Sequence, residues 1–336
     1  MTSIKDVAAA AGVSTATVSR VLADKPHIRP ELRSRVLAAV DRLAYRPNRV
    51  ARSLRNRQSS TIGLVVADIR NPFFTSLSRA VEDVAYARDM SVFLCNSDEN
   101  PRKETLYLDL LRDEHVAGII IAPTGHTADV FSREVKLDMP VVVIDRKVDS
   151  DEVDSVVVDN VDGAYRLARH LLDDGYRRIG AIFSIDISTG RERFEGYTKA
   201  LRERGLAVED ELVRFTENRE LNGYEAAAAL LALASPPDSI FATNGVMSTG
   251  VYRLFHQRRI AVPEDMGFAG FDETPWSELV HPAMTVLGQP TYEIGKTATE
   301  LLLNRIADPG RPPRSVVLRG RLVVRDSCRR PGSTAH

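Results

Sequence analysis

From Thr61 onward, short uninterrupted apolar runs alternate with amphipathic stretches of helical length. The runs at 62–66, 91–94, 118–121 and 141–144 read as strands, with helices at 75–87 and 104–112 between them. A second series follows, with strands at 179–183, 239–242 and 267–271 and helices near 162–172, 191–204, 224–232 and 247–256. A strand with no polar alternation is buried on both faces. Helices interposed between such strands imply a parallel sheet covered on each side. Two series in succession therefore predict two similar, doubly wound lobes, and a length of 336 residues leaves room for one further small unit.

Charge locates that unit. Up to Gln58 the chain carries 12 basic and 4 acidic residues, a balance of +8, whereas the remainder carries 33 basic and 42 acidic, or −9. A basic head on an acidic body calls for a polyanionic partner for the head alone. The head reads as three short helices. Ser3 with Asp6 forms a capping box ahead of Ile4, Val7, Ala8 and Ala11, and Gly12 supplies a left-handed stop. Val13 plugs the turn, Ser14 caps a second helix at 15–22, and a third begins near Pro30 with Leu32, Val36, Leu37, Val40 and Leu43 inward. Two helices across a tight glycine turn are a helix-turn-helix, whose second helix lies in the major groove. With Val18, Val21 and Leu22 facing the core, Thr15, Ala16 and Arg20 face outward as base-reading candidates. Thr17 and Ser19 suit phosphate contacts.

The runs 4–8, 11–14 and 17–22, followed by Tyr45-Arg46-Pro47-Asn48 and Val50-Ala51-Arg52-Ser53-Leu54, resemble the LacI/GalR family of repressors over essentially the whole chain except its last few residues. Pro47 disfavours helix at the residue before it, and Asn48 can cap a short helix through about Arg55. Such a helix is too short to persist alone in water. The resemblance makes this segment a hinge that enters the minor groove, with Asn48, Arg49, Ala51, Arg52 and Arg55 against DNA and Leu54 as an apolar wedge that kinks the duplex. It implies a three-helix helix-turn-helix DNA-binding domain at 1–46, a hinge at 47–58 and an α/β periplasmic-binding-protein-like domain at 59–328, with crossings between lobes near Asp159, Gln289 and Arg319. Lobe one then spans about 60–158 and 290–318, and lobe two about 159–288 and 319–328. The tail 329–336 reads as disordered.

Ligands of open parallel sheets sit beyond the carboxyl ends of the strands, and two facing lobes form a cleft there. Phe73 and Phe74 follow the first strand, Asp145 and Arg146 the fourth, and Asn244 and Asp272 lie after strands of the second lobe. Residues 191–197, Arg-Glu-Arg-Phe-Glu-Gly-Tyr, are similar to the family's effector-contacting arginine motif, which places Arg193 in the cleft. Arg193 as donor and Asp272 as acceptor would grip adjacent hydroxyls. Asn244 and Gln289 offer both roles, while Trp276 and Phe74 offer flat faces to a sugar ring. Gly245 stands where many members of the family carry an acid, and its lack of a carboxylate predicts a basic cleft and an anionic effector, a sugar acid or sugar phosphate, over a neutral sugar.

The expected function is that of a repressor of carbohydrate-metabolism genes, a homodimer on a palindromic double-stranded operator, controlled by a small carbohydrate. The competing reading is a soluble carbohydrate-binding or carbohydrate-converting α/β protein. No dinucleotide fingerprint, phosphate loop or nucleophile elbow appears, so neither enzyme chemistry nor a cofactor is expected. The two cysteines, Cys95 and Cys328, read as isolated thiols, and the seven histidines show no metal-ligand spacing. No apolar run approaches membrane-spanning length, and the N-terminus lacks signal-peptide character, so a cytoplasmic, nucleoid-associated location is expected.

Overall fold

The computed structural model describes residues 2–22, 26–45, 59–128, 139–148 and 150–328. The chain divides into two units at Ser59. The expected hinge contacts Asn48, Arg49, Ala51, Arg52, Leu54 and Arg55, and the tail, lie outside the described residues.

The head contains α1 (Ile4–Ala11), α2 (Thr15–Leu22) and α3 (Pro30–Arg42). Both halves of the capping box form, with the Ser3 Oγ accepting from the Asp6 amide and the Asp6 carboxylate accepting from the Ser3 amide at 2.8 Å. Gly12 ends α1 at φ +61, where a Cβ would strike the Arg35 guanidinium. That guanidinium donates to the Ala11 carbonyl at 2.6 Å and so pins α3 to the turn. Ser14 Oγ accepts from the Thr17 amide at 3.2 Å and caps α2. Val7, Ala8, Ala11, Val18, Val21, Val36 and Ala39 form the buried core. Leu37 is a correction, because it is 45% exposed. The inner stripe of α3 runs through Val36, Ala39 and Val40, one residue away from Leu37 on a 3.6-residue period.

The body holds two six-stranded sheets. The first has the order β11-β5-β4-β3-β1-β2, from β1 (Thr61–Val66), β2 (Ser91–Asn96), β3 (Ile119–Ile121), β4 (Val141–Ile144), β5 (Asp154–Val158) and β11 (Ser315–Leu318), all parallel. One face packs on α4 (Pro72–Tyr86) and α10 (Thr291–Ala307), the other on α5 (Pro101–Asp113). The second has the order β12-β10-β9-β8-β6-β7, from β6 (Ile179–Ser184), β7 (Val213–Thr216), β8 (Ser239–Ala242), β9 (Gly267–Phe271), β10 (Thr285–Gly288) and β12 (Arg321–Val323). Helices α6 (Asn160–Asp173) and α7 (Ser188–Glu203) cover one face, α8 (Glu220–Leu231) and α9 (Gly245–Arg258) the other. The second sheet is not wholly parallel as expected. β12 enters from the other lobe two residues after β11 and pairs antiparallel with β10. The chain passes between sheets after β5, after β10 and after β11, which brings the carboxyl ends of the parallel strands of both sheets to one cleft.

Candidate effector cleft and nucleic-acid interface

Carboxyl ends of strands supply the cleft. An inner cavity of about 20 Å3, room for one or two waters, is lined by Phe73, Phe74, Arg146, Arg193, Asn244, Asp272 and Gln289 among others. Trp276 is absent from this lining, a correction to its expected role. It packs into the core of lobe two, edge-on to Tyr252 at 5.7 Å.

Arg193 is buried, its Nε donating to Asn160 at 2.9 Å and its guanidinium lying 4.1 Å over the Phe271 ring. One of its terminal nitrogens donates to the Thr243 carbonyl at 2.5 Å. Asp272 accepts from the Gly245 amide at 3.0 Å and from Gln289 Nε2 at 2.6 Å. Asp272 is thus held by these two rather than by Arg193, leaving the two charges side by side and separately supported. Asn244 spends its Oδ1 capping α9, so its amide nitrogen is what it presents inward. Both terminal nitrogens of Arg146 reach the two Glu99 oxygens and one also reaches the Pro123 carbonyl, while its buried Nε makes no hydrogen bond and lies 3.5 Å from Asp145 Oδ2.

Glu99 and Asp68 were not among the expected residues, yet they line the same cavity as Asp145, which the strand-end rule had placed there. With Asp272 they set four carboxylates in the lining against two guanidiniums, Arg146 and Arg193, with Asp68 also paired to Arg70 and Arg219 outside it. The expectation of a basic cleft is therefore overturned. The carboxylate missing at Gly245 is replaced from other strands, and a Cβ at that position would meet Thr274 and Asp272. A signal for these residues exists in the strand-end rule itself. Asp98, Glu99, Asp145, Asp186 and Asp272 all have positive φ, between 56 and 73, and all border the cleft. Side chains with a Cβ rarely adopt that conformation, Asp more readily than most.

Burial raises the Asp145 carboxyl to about 6, against the opposing pull of Arg146 and Arg193. The folded form then holds a proton that the unfolded chain releases at the ordinary carboxylate value. The folded state binds more protons across that window, and stability falls as pH rises from about 4 to 6. Asp145→Asn is expected to be more stable than the parent at pH 7, by up to about 3 kcal/mol, with the difference closing below pH 4. Asparagine also tolerates φ +68. Urea melts at the two pH values check this, and a less stable variant at pH 7 would refute it.

The lobes meet at the cleft mouth. Arg219, at the start of α8, bonds Asp98 after β2 at 2.8 Å, and the Lys147 amide donates to Ser188 Oγ at 3.1 Å. An outer cavity of about 650 Å3 opens beside them. Because Asp98 follows β2 and Arg219 follows β7, these two edge strands lie on one flank. That flank exposes Phe93, Leu94 and Phe215 from the strands, and Leu106, Leu110 and Leu221 from α5 and α8.

In the head, α2 leaves Ala16 and Arg20 exposed and Thr15, Thr17 and Ser19 half-buried. The Thr17 hydroxyl lies 3.0 Å from Ser14 Oγ, so part of its bonding capacity is spent on the cap.

Residues 59–324 match the family of periplasmic binding proteins and the sugar-binding domain of the LacI family, and residues 3–48 match the LacI family of bacterial regulatory proteins. The chain belongs to the LacI family. An HTH-type transcriptional repressor PurR from Photobacterium profundum is 33% identical over 97% of this chain and 98% of its own length. Among solved structures, a transcriptional regulator CelR–cellobiose complex is 28% identical over 97% of this chain and 100% of its own, with a TM-score of 0.72. The lac repressor dimer bound to operator and the anti-inducer ONPF superposes with a TM-score of 0.86 over 97% and 99% of the two chains, and at 24% identity it shows the shared fold. This LacI-family protein is a transcriptional regulator and not an enzyme. Among its described residues no helix is long and apolar enough to cross a membrane.

Proposed function

We propose that this LacI-family protein represses carbohydrate-metabolism genes as a homodimer, on the nucleoid in the cytoplasm, under control of a neutral sugar bound in the cleft. The observation that carries the reading is the separately supported Arg193–Asp272 pair in a cavity where carboxylates outnumber guanidiniums. A neutral polyol satisfies donor and acceptor alike, whereas an anion would meet a lining in which carboxylates outnumber guanidiniums. The bound cellobiose of the CelR relative supports that ligand class. The domain scheme follows the same reading: a head at 1–46, a hinge at 47–58 with Asn48, Arg49, Ala51, Arg52, Leu54 and Arg55 on DNA, and a two-lobed body at 59–328. The dimeric lac repressor on its operator supports pairing of bodies, and the exposed apolar flank spanning both lobes is the surface available for it. Sugar binding changes lobe closure, closure moves that flank, and the heads lose their spacing.

The test is a thermal-shift panel of neutral sugars, sugar acids and sugar phosphates on the full chain, followed by operator binding with each hit. Neutral sugars stabilising the protein and altering operator affinity support the reading, whereas stabilisation by anionic sugars alone sinks it. In the same operator assay Arg20→Ala is expected to weaken binding roughly 5- to 150-fold, the value of about 1–3 kcal/mol for one base contact. A loss spread evenly over unrelated sequences would instead make Arg20 a phosphate contact.

A further inference from the structure

Far from the cleft, α6 and the end of the described chain bring three metal-ligating side chains together. His170 sits in the last turn of α6, and Asp174 is the residue that caps that helix. Four residues apart, they share one helix face, and His170 Nε2 lies 3.5 Å from Asp174 Oδ2. Cys328 ends a 3-10 turn, Asp326–Cys328, and comes from 158 residues away to place its Sγ 3.3 Å from the same Nε2. The three ligand atoms all lie within 4.8 Å of one another.

Two of these separations match the edges of a known object. With metal–sulfur bonds of about 2.3 Å, and metal–nitrogen and metal–oxygen bonds of about 2.0–2.2 Å, the edges of a tetrahedron are about 3.3–3.6 Å. Both distances to Nε2 fall within or at that range. A thiolate, an imidazole and a carboxylate are a donor set suited to zinc and its cobalt substitute. Cys328 is buried, while His170 and Asp174 remain about one-fifth exposed, so a cation has a path in and a water can complete its shell.

We propose that His170, Asp174 and Cys328 bind a zinc-class divalent cation. On binding, the S–H bond of Cys328 breaks, the metal–sulfur bond forms and the proton leaves to solvent, with no change of oxidation state. Without metal, the thiol proton points to Thr285 Oγ1 at 3.2 Å. Ligation fastens the C-terminal turn to α6, the helix whose first residue, Asn160, holds Arg193.

The experiment uses the full-length, untagged, reduced and metal-stripped protein. Titration with Co2+ is expected to produce a near-ultraviolet sulfur-to-cobalt charge-transfer band saturating at one equivalent, bleached by Zn2+, and Zn2+ is expected to raise Tm by several degrees. Cys328→Ser removes the band, Cys95→Ser keeps it, and His170→Gln weakens binding tenfold or more. Asp174→Asn, a near-isosteric change at a helix end, keeps the fold and also weakens binding, which protects the test should Cys328→Ser fold poorly. Absence of the band in the parent, its persistence without Cys328, or full-strength binding in Asp174→Asn would overturn the proposal.

Discussion

Asp272→Asn is expected to lower affinity for the neutral sugar roughly 10- to 150-fold, and to leave operator binding by the sugar-free protein unchanged. The carboxylate is anchored from two sides, by the Gly245 amide and Gln289 Nε2, so it is already aimed when the ligand arrives. Asparagine has the same shape and accepts φ +73, so the turn survives. What it loses is the charge, and a hydrogen bond to a charged group contributes about 1.5–3 kcal/mol. One of its two positions also becomes a donor, which would face either the Gly245 amide or Gln289. Calorimetric titration together with an operator-binding isotherm checks this. Equal sugar affinity in parent and variant would remove Asp272 from the site, and a simultaneous loss of operator binding would make it structural.

Leu106→Glu combined with Leu110→Glu is expected to turn the protein into a monomer at micromolar concentration and to weaken operator binding at least a hundredfold. Both leucines project from one face of α5 into solvent, 63% and 48% exposed in the single chain. In a two-fold pairing each such residue counts twice, because the same patch serves both subunits. Burial of one leucine contributes about 1.5–3 kcal/mol, and the paired carboxylates add repulsion. A lone head reads half an operator and forfeits the specificity of the second half-site. Sedimentation velocity gives the mass, and retention of sugar binding shows that the body is intact. A variant that still sediments as a dimer would place the interface elsewhere.

Much of the fold could be read before the structure because its strands are buried on both faces. Runs such as Val141–Ile144, Ser239–Ala242 and Gly267–Phe271 emerge with the bounds expected of them. Weaker strands were not legible. β7, Val-Arg-Phe-Thr, sits at an edge and alternates, and β12, Arg-Leu-Val, is three residues long and held only by β10. In the cleft, residues chosen for hydrogen-bonding versatility after strands were brought together, whereas Trp276 was not, since side-chain direction past a left-handed turn is a tertiary matter. Glu99 comes shortly after β2, where the strand-end rule points, but nothing local announces its ion pair with a residue 47 positions away. The approach of Cys328 to His170 was equally hidden, because sequence spacing carries no trace of a contact made through a lobe crossing.

The pairing of Arg146 with Glu99 has a consequence for how such a regulator reads its surroundings. A sugar hydroxyl seeking that guanidinium competes with a carboxylate attached to the same lobe, a rival that never diffuses away. The free protein thus carries its own antagonist, and apparent affinity is the intrinsic affinity discounted by the time that antagonist spends in place. If the proposed sugar contacts Arg146, it must reach a higher concentration to displace Glu99, and transcription would then answer to sustained supply and not to traces.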